Sequence, residues 1–501
     1  MMSESWIREK IENLRIEENR LTTLSEIRVR LNEINGSTNS ELELFIMNYL
    51  LSCPEIYSCV EDDSNSESKQ QCELATDILS ICMSNLRINN DMPAILERAI
   101  THPRSHIQAM VFNAILRELQ SEENSSNYSG VSDKLVDHFL NGLCNESTEV
   151  AVPAIGILSI LLKERLGQEA IKLKLLNMLS SNETIKCRVY ELAVNLAKQS
   201  PSLLHQVEFL LDCALSELDN DDVLFQVNIL EILVPLSGQN HGLLYLENRQ
   251  VFEIISRRVE YVDQNPLDRL LIPGIMRFFG KVASVQPQKV IVGYPAMLNT
   301  FFMSILSGDV SILPAALDTF ANLAQTNKGK LLLEKGYPEL IKSTFEEIAS
   351  YLKNLSSDLK NRAFNTLELI FRTEEISQPK IEELLHKWFK YLADGNTMQF
   401  LMDFCRNPFP DIKVACLSFI KSVCMHSWGV VALRNTAGFV EYLLDRKIEF
   451  DKEAKYQKFE LIRLLADSDD FDVQTNLQLR TYVNEGPYFV QSILDIATEG
   501  S

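Results

Sequence analysis

From about residue 90 to residue 470 the chain repeats a single pattern: an apolar helical stripe, a short polar turn, and a second helix with an apolar stripe of its own. After the turn Thr101-His102-Pro103-Arg104-Ser105-His106, the residues Ile107, Met110, Val111, Ala114 and Ile115 fall on one helical face. After Asn145-Glu146-Ser147-Thr148 come Val150, Ala154, Ile157, Leu158 and Leu161, with Pro153 placed in the first turn, where a missing N–H costs little. After Ser181-Asn182-Glu183-Thr184 come Ile185, Val189, Leu192, Ala193 and Leu196, and after Asn407-Pro408-Phe409-Pro410-Asp411 come Ile412, Ala415, Cys416, Phe419 and Ile420. The Asn, Asp, Ser and Thr of these turns are placed to accept hydrogen bonds from the first N–H groups of the next helix and so to fix where it starts.

The first apolar residue after each turn (Ile107, Val150, Ile185, Val223, Leu267, Val310, Leu359, Ile412, Ala454) recurs every 35 to 53 residues. That spacing brackets the period of about 40 to 47 residues of HEAT and armadillo units. A helix pair of this size cannot bury its stripe alone, so each pair stacks on its neighbours and a continuous core grows along the array. Gly (18) and Pro (16) are scarce in 501 residues, which leaves long stretches free to stay helical. The expected fold is therefore all-α, a superhelical α-solenoid of HEAT/armadillo-like repeats, with a concave surface suited to extended protein partners. Residues 1–90 read as an amino-terminal helical cap, with helices near 4–34, 40–52 and 70–87 and an acidic loop at 61–68. Residues 91–470 read as the array, interrupted by a polar insertion at 121–130. Residues 471–501 lose helical periodicity and read as a carboxyl-terminal cap and tail.

A formal net charge of −21 disfavours phosphate backbones and anionic membrane surfaces, which demand a basic footprint, so neither nucleic acid nor membrane is expected as a partner. A basic protein surface fits better. The ten cysteines form no C-x-x-C pair and mostly sit among apolar neighbours, as reduced core thiols of a cytoplasmic or nuclear protein do. The polar start, Met1 to Lys10, has no apolar core, so no secretory signal is expected, and no apolar run of 18 residues is long enough to span a membrane.

No phosphate-binding, dinucleotide, hydrolase-elbow or zincin motif occurs, and no catalytic residue, cofactor or metal is expected. His102 and His106 are four apart, but Pro103 between them points to a surface turn in place of a metal face. Cys424 and His426 are two apart on a helix and point to different sides, which reads as a buried thiol and a surface imidazole. Trp6, Trp388 and Trp428 are too few and too irregular for a Trp ladder that grips extended basic peptides.

Arg188-Val189-Tyr190-Glu191-Leu192 and Pro273-Gly274-Ile275-Met276-Arg277-Phe278-Phe279-Gly280 resemble motifs of the 26S proteasome non-ATPase regulatory subunit 5 family. Pro408-Phe409-Pro410, Gly438-Phe439-Val440-Glu441-Tyr442 with Asp445-Arg446, Lys455-Tyr456, and Leu479-Arg480-Thr481-Tyr482-Val483-Asn484-Glu485-Gly486-Pro487-Tyr488 resemble its carboxyl-terminal motifs in order and at similar spacing. The resemblance extends over nearly the whole chain and is weakest in residues 1–90. It implies a cytosolic chaperone, monomeric when free, that binds proteasomal AAA ATPase subunits while the regulatory-particle base assembles. It further implies that this binding engages the ATPase carboxyl-terminal domain and delays docking on the 20S core. Val189 and Leu192 point inward on their helix, which leaves Tyr190 and Glu191 as candidates for partner contact, with packing of Tyr190 against the adjacent repeat as the alternative. In the carboxyl-terminal motif the candidates are Arg480, Tyr482, Glu485 and Tyr488, with folding back as a terminal cap as the alternative.

Overall fold

The polar turns act as helix starts through specific side chains. Asn182 accepts from the N–H of Ile185 (3.0 Å), Asp222 from those of Leu224 and Phe225 (2.8 and 3.1 Å), and Asp451 from those of Glu453 and Ala454 (2.9 and 3.0 Å). At Ser147 the cap residue itself is not the acceptor; Asn145 instead accepts from the Ser147 N–H (2.9 Å) and shapes the turn before the helix. The computed structural model describes residues 4–34, 41–61, 66–84, 92–121, 131–220, 222–260, 266–373 and 378–489, and all regular structure among them is helical.

The chain packs as two compact units, residues 1–218 and 219–501. In the first, helices α1 (Arg20–Ile34), α2 (Ser66–Ser84), α3 (Ser105–Gln120), α4 (Thr148–Leu161) and α5 (Glu183–Ala197) pack one on the next, flanked by the helices between them. In the second, the same succession runs through α6 (Val223–Ser237), α7 (Ile272–Val285), α8 (Leu313–Ala324), α9 (Ser357–Phe371), α10 (Pro410–Cys424) and α11 (Lys452–Ala466), and α12 (Val473–Glu485) closes against α11. In the second unit two α-helices separate each consecutive pair, so its repeats are three-helix units, whereas in the first a single α-helix intervenes after α2 and the repeats are helix hairpins; in both, one helix of each repeat joins the spine of its unit. This is the stacking logic of helical-repeat proteins.

The expected stripes are the buried ones, apart from Met110 and Ile185, which are half-buried. Val150, Ala154, Ile157, Leu158 and Leu161 are all buried on α4, as are Ile412, Ala415, Cys416, Phe419 and Ile420 on α10. Aromatic contacts carry the second core from repeat to repeat: Phe320 on α8 meets Phe345 (5.5 Å between centroids), Phe345 meets Phe371 on α9 (6.2 Å), and Phe371 meets Phe419 on α10 (5.5 Å). Burying a Phe contributes roughly 2–3 kcal/mol. Truncating Phe371, which touches both neighbouring repeats, costs about 3–5 kcal/mol because the cavity cannot collapse.

A close approach at the repeat corners left no mark in the hydrophobic pattern. Gly242, Gly329 and Gly429 each stand six residues after a carbonyl in the last turn of α6, α8 and α10. A Cβ there would lie 2.3 Å from the Leu236 oxygen, 2.1 Å from that of Leu323 and 2.0 Å from that of Val423. Each glycine thus lets the following helix fold back directly against the end of the spine helix.

Several expectations are corrected. The single helix expected over 4–34 is two, Glu4–Asn13 and α1, joined by a turn at an exposed Ile16, and an unforeseen helix spans Pro54–Glu61. The acidic loop is shorter than 61–68: Glu61 ends one helix and Ser66, Glu67 and Ser68 begin α2, while 62–65 and most of the 121–130 insertion lie outside the described residues. Val310 is exposed because its helix begins only at Leu313, and Leu267 lies outside the residues whose side chains are described. Pro153 sits in the second turn of α4, so the Glu149 carbonyl loses its usual N–H donor there. The carboxyl-terminal stretch is not aperiodic: Asp472 accepts from the N–H groups of Gln474 and Thr475 (both 3.0 Å) and starts α12.

Candidate functional site

In a stack of this kind a helix can be buried on two sides, against the previous spine helix and against its own hairpin partner. This decides the fate of Tyr190. On α5 it lies 100° around from Val189 and faces the helix Pro201–Ser216, with which α5 packs, so Tyr190 is 1% exposed. Its hydroxyl donates to Glu217 Oε1 (3.3 Å), which also pairs with Lys186 (2.9 Å), and burial together with that carboxylate holds the phenol well above its ordinary range. Tyr190 is thus corrected as a candidate for partner contact, and the alternative of packing holds, because a helix in this stack has a second buried face that a single-stripe reading does not count. Arg188 is also buried; its guanidinium donates to the Leu143 (2.8 Å) and Asn145 (2.5 Å) carbonyls of the preceding repeat. Of this motif only Glu191 reaches solvent.

The four carboxyl-terminal candidates organise around a residue that was not singled out, Arg446. Its guanidinium donates to the carbonyls of Gly486 (2.9 Å) and Tyr482 (3.0 Å) and to Glu485 Oε2 (3.0 Å), and lies 3.6 Å from the Tyr482 ring centroid. Phe489 stands on it at 5.4 Å. One side chain therefore caps the carboxyl end of α12 and fixes the loop before α11 to it. Tyr482 is buried by this contact, so it offers no exposed surface. Glu485 and Tyr488 remain exposed, the Tyr488 hydroxyl lying 3.5 Å from the Lys452 carbonyl, and Arg480 projects outward on α12.

Behind Arg446 opens a cavity of about 440 Å³ between the loop, α11 and α12. Four cations line it, Arg446, Lys447, Lys455 and Lys458, in a chain whose net charge is −21. Lys458 is buried; it donates to the Asp445 carbonyl (2.6 Å) and lies 4.8 Å from the Tyr442 ring centroid. Burial brings its ammonium down from the ordinary 10.5 to about 8, opposed by Glu449 and Asp445. Glu449 is itself buried between Lys413 Nζ (2.6 Å) and the Tyr442 hydroxyl (2.6 Å). Exposed aromatic groups surround this end, with Phe450 89% and Tyr488 54% exposed.

The two histidine readings also change. His102 is buried against Tyr57 (5.8 Å between centroids), and His106 alone is exposed. His426 is buried, its Nδ1 2.8 Å from Glu382 Oε1 and its Nε2 2.8 Å from the Phe371 carbonyl, while Trp428 donates to the other Glu382 oxygen (2.9 Å). It pins α10's end to α9 across the repeat boundary. The Cys424 thiol is buried as expected, and burial pushes it up. Among the described residues no three His, Cys, Asp or Glu side chains are grouped to hold a metal ion, and no single helix is long and apolar enough to cross a membrane.

Stacked two- and three-helix repeats, joined by side chains that reach from one repeat into the next, define a helical-repeat protein of the armadillo and HEAT class. The solved structure of importin beta shares this fold, with a TM-score of 0.54 over 92% of this chain and 65% of its own, at 12% identity. The family model for the proteasome non-ATPase 26S subunit matches residues 3–501. The 26S proteasome non-ATPase regulatory subunit 5 of Drosophila melanogaster is 38% identical over 504 residues, 99% of either chain. The Homo sapiens protein of the same name is 27% identical over 453 residues, 88% of this chain and 89% of its own length. The chain belongs to the 26S proteasome non-ATPase regulatory subunit 5 family.

Proposed function

We propose that this protein is a non-enzymatic chaperone, acting in the cytosol, for assembly of the base of the proteasome regulatory particle. It binds AAA ATPase subunits through their carboxyl-terminal domain and, while bound, obstructs their docking on the 20S core. The observation that carries this reading is family membership along the full length of the chain, which includes both units and the Arg446 clamp at the carboxyl-terminal end. A repeat array suits the task because successive helices present side chains at regular intervals to one extended partner. The net charge of −21 favours a basic partner face, through faster and better-oriented encounter more than through raw affinity.

Affinity capture of the full chain from cell extract, with crosslinking of the recovered complex, tests this. Regulatory-particle ATPase subunits recovered without stoichiometric 20S core support the chaperone. Recovery of whole 26S particles, or of no proteasomal ATPase, overturns it in favour of a general interaction scaffold.

A further inference from the structure

We propose that the cavity between α11, α12 and the loop before α11 is a binding site for one carboxylate group carried on an apolar peptide segment. This site is independent of which subunits the protein chaperones and goes beyond that reading.

Three features point to such a ligand. Lys458 is 1% exposed yet lines the cavity; the Asp445 carbonyl takes one of its three N–H donors and the Tyr442 ring lies 4.8 Å from the ammonium on another side, so no oxygen but that of Asp445 completes its shell. An ammonium removed from water with one hydrogen bond and one ring contact is costly unless an anion completes its shell. Lys455 stands half-buried on the same helix one turn earlier, with no ion-pair partner among the described residues. The two ammoniums can converge on a single pair of oxygens. Leu444, Pro487 and the Phe489 ring form the apolar part of the wall and accommodate the carbon skeleton next to such a group. Asp445, Glu449 and Glu485 also line the cavity and repel a dense, multiply charged anion, which favours a carboxylate over phosphate.

Occupancy is linked to protons. Lys458 faces Asp445 and Glu449 from the loop, Lys413 from α10, Tyr442 and Cys405 from the flanking helices, and Tyr482 and Glu485 across the cavity. Burial dominates this set and brings the ammonium to about 8; a bound carboxylate reverses part of that. Binding is therefore strongest below pH 8, where Lys458 is already charged, and weakens as pH rises to 9.5.

The test uses the full chain and three probes in saturation-transfer NMR and calorimetry: N-acetyl-Leu-Leu with a free carboxylate, its carboxamide, and N-acetyl-Leu-Glu-amide, with inorganic phosphate as a fourth arm. The site predicts that one or both carboxylate peptides bind at least tenfold more tightly than the carboxamide at pH 7. It also predicts that this preference shrinks at pH 9.5 and disappears in Lys458→Met and in Lys455→Gln. The partly solvent-facing Lys455→Gln is the check against a folding defect, confirmed by an unchanged circular dichroism melt. A free terminal carboxylate that outperforms the Glu side chain identifies a chain terminus as the source, and the reverse identifies an internal acidic residue. Equal binding of acid and amide, tighter binding of phosphate than of either peptide, or no binding at 10 mM probe (roughly the weakest specific range) overturns the proposal.

Discussion

Replacing Arg446 by Ala removes a single side chain but unfastens the whole carboxyl-terminal closure. The guanidinium makes two hydrogen bonds to backbone carbonyls, of Tyr482 and Gly486. Charge-assisted bonds of this kind contribute about 1.5 kcal/mol each at the lower end. Stacking on Tyr482 adds about 0.5–1 kcal/mol, and the partly exposed pair with Glu485 about 0.5 kcal/mol after solvent screening. All of these are made by one group and are not additive, so a net loss of about 3 kcal/mol is expected. The loss is local: α12 contacts α11 mainly through Leu479 and Tyr482, the only buried side chains of that helix. Opening of residues 473–489 should therefore become roughly a hundredfold more frequent at about 1.4 kcal/mol per decade. Hydrogen exchange with peptide-level mass spectrometry reads this directly, with α6 to α9 as internal reference. Arg446→Lys should recover under half of the protection, because an ammonium cannot serve the carbonyls and the ring together. An exchange rate in 473–489 within threefold of wild type for Arg446→Ala would refute the clamp.

Gly329→Ala should destabilise the second unit by about 2–3 kcal/mol in urea unfolding, since its Cβ meets the Leu323 carbonyl at 2.1 Å, whereas Gly336→Ala, with open space around it, should be neutral. Tyr190→Ala should cost the first unit about 3–5 kcal/mol, while Glu191→Ala leaves its thermal melt unchanged; equal effects would contradict the burial of Tyr190. Lys458 carries a folded value of about 8 against an ordinary 10.5. Below pH 8 both states hold the proton and the cost of the buried ammonium, about 3 kcal/mol at most, is fully present. Between pH 8 and 10.5 the unfolded chain binds the extra proton, so the wild type gains stability as pH rises. The difference in urea midpoint between wild type and Lys458→Met should therefore shift in favour of wild type from pH 7.5 to 9.5, and a constant difference would contradict the assignment.

The stripes on α4 and α10 and the caps at Asn182, Asp222 and Asp451 were legible because each depends on residues within one or two turns of each other. What escaped were decisions made between repeats. Tyr190 meets Glu217 across 27 residues, His426 meets Glu382 across 44, and Arg446 meets Gly486 across 40. A period of 3.6 specifies which residues share a face, but not how many faces the neighbours will cover. The motifs that carried the family resemblance turn out to be largely these inter-repeat fasteners: Arg188 and Tyr190 in one, Tyr442, Arg446 and Tyr482 in the other. The candidates among them that reach solvent reduce to Glu191, Arg480, Glu485 and Tyr488. The one signal that could have disclosed the repeat corners was the glycine six residues after a buried leucine or valine near each helix end, seen at Gly242, Gly329 and Gly429.

The proposed role, holding ATPase subunits away from the core particle, is tested most directly by competition between purified components. Regulatory-particle ATPase subunits are incubated with purified 20S core, the full chain is titrated in, and the 20S-bound ATPase fraction is measured by native gel and mass photometry. The account predicts a saturable complex between the chain and an ATPase subunit that displaces that subunit from the 20S core in proportion to its occupancy. A complex that leaves 20S association undiminished, or no complex at all, would contradict it.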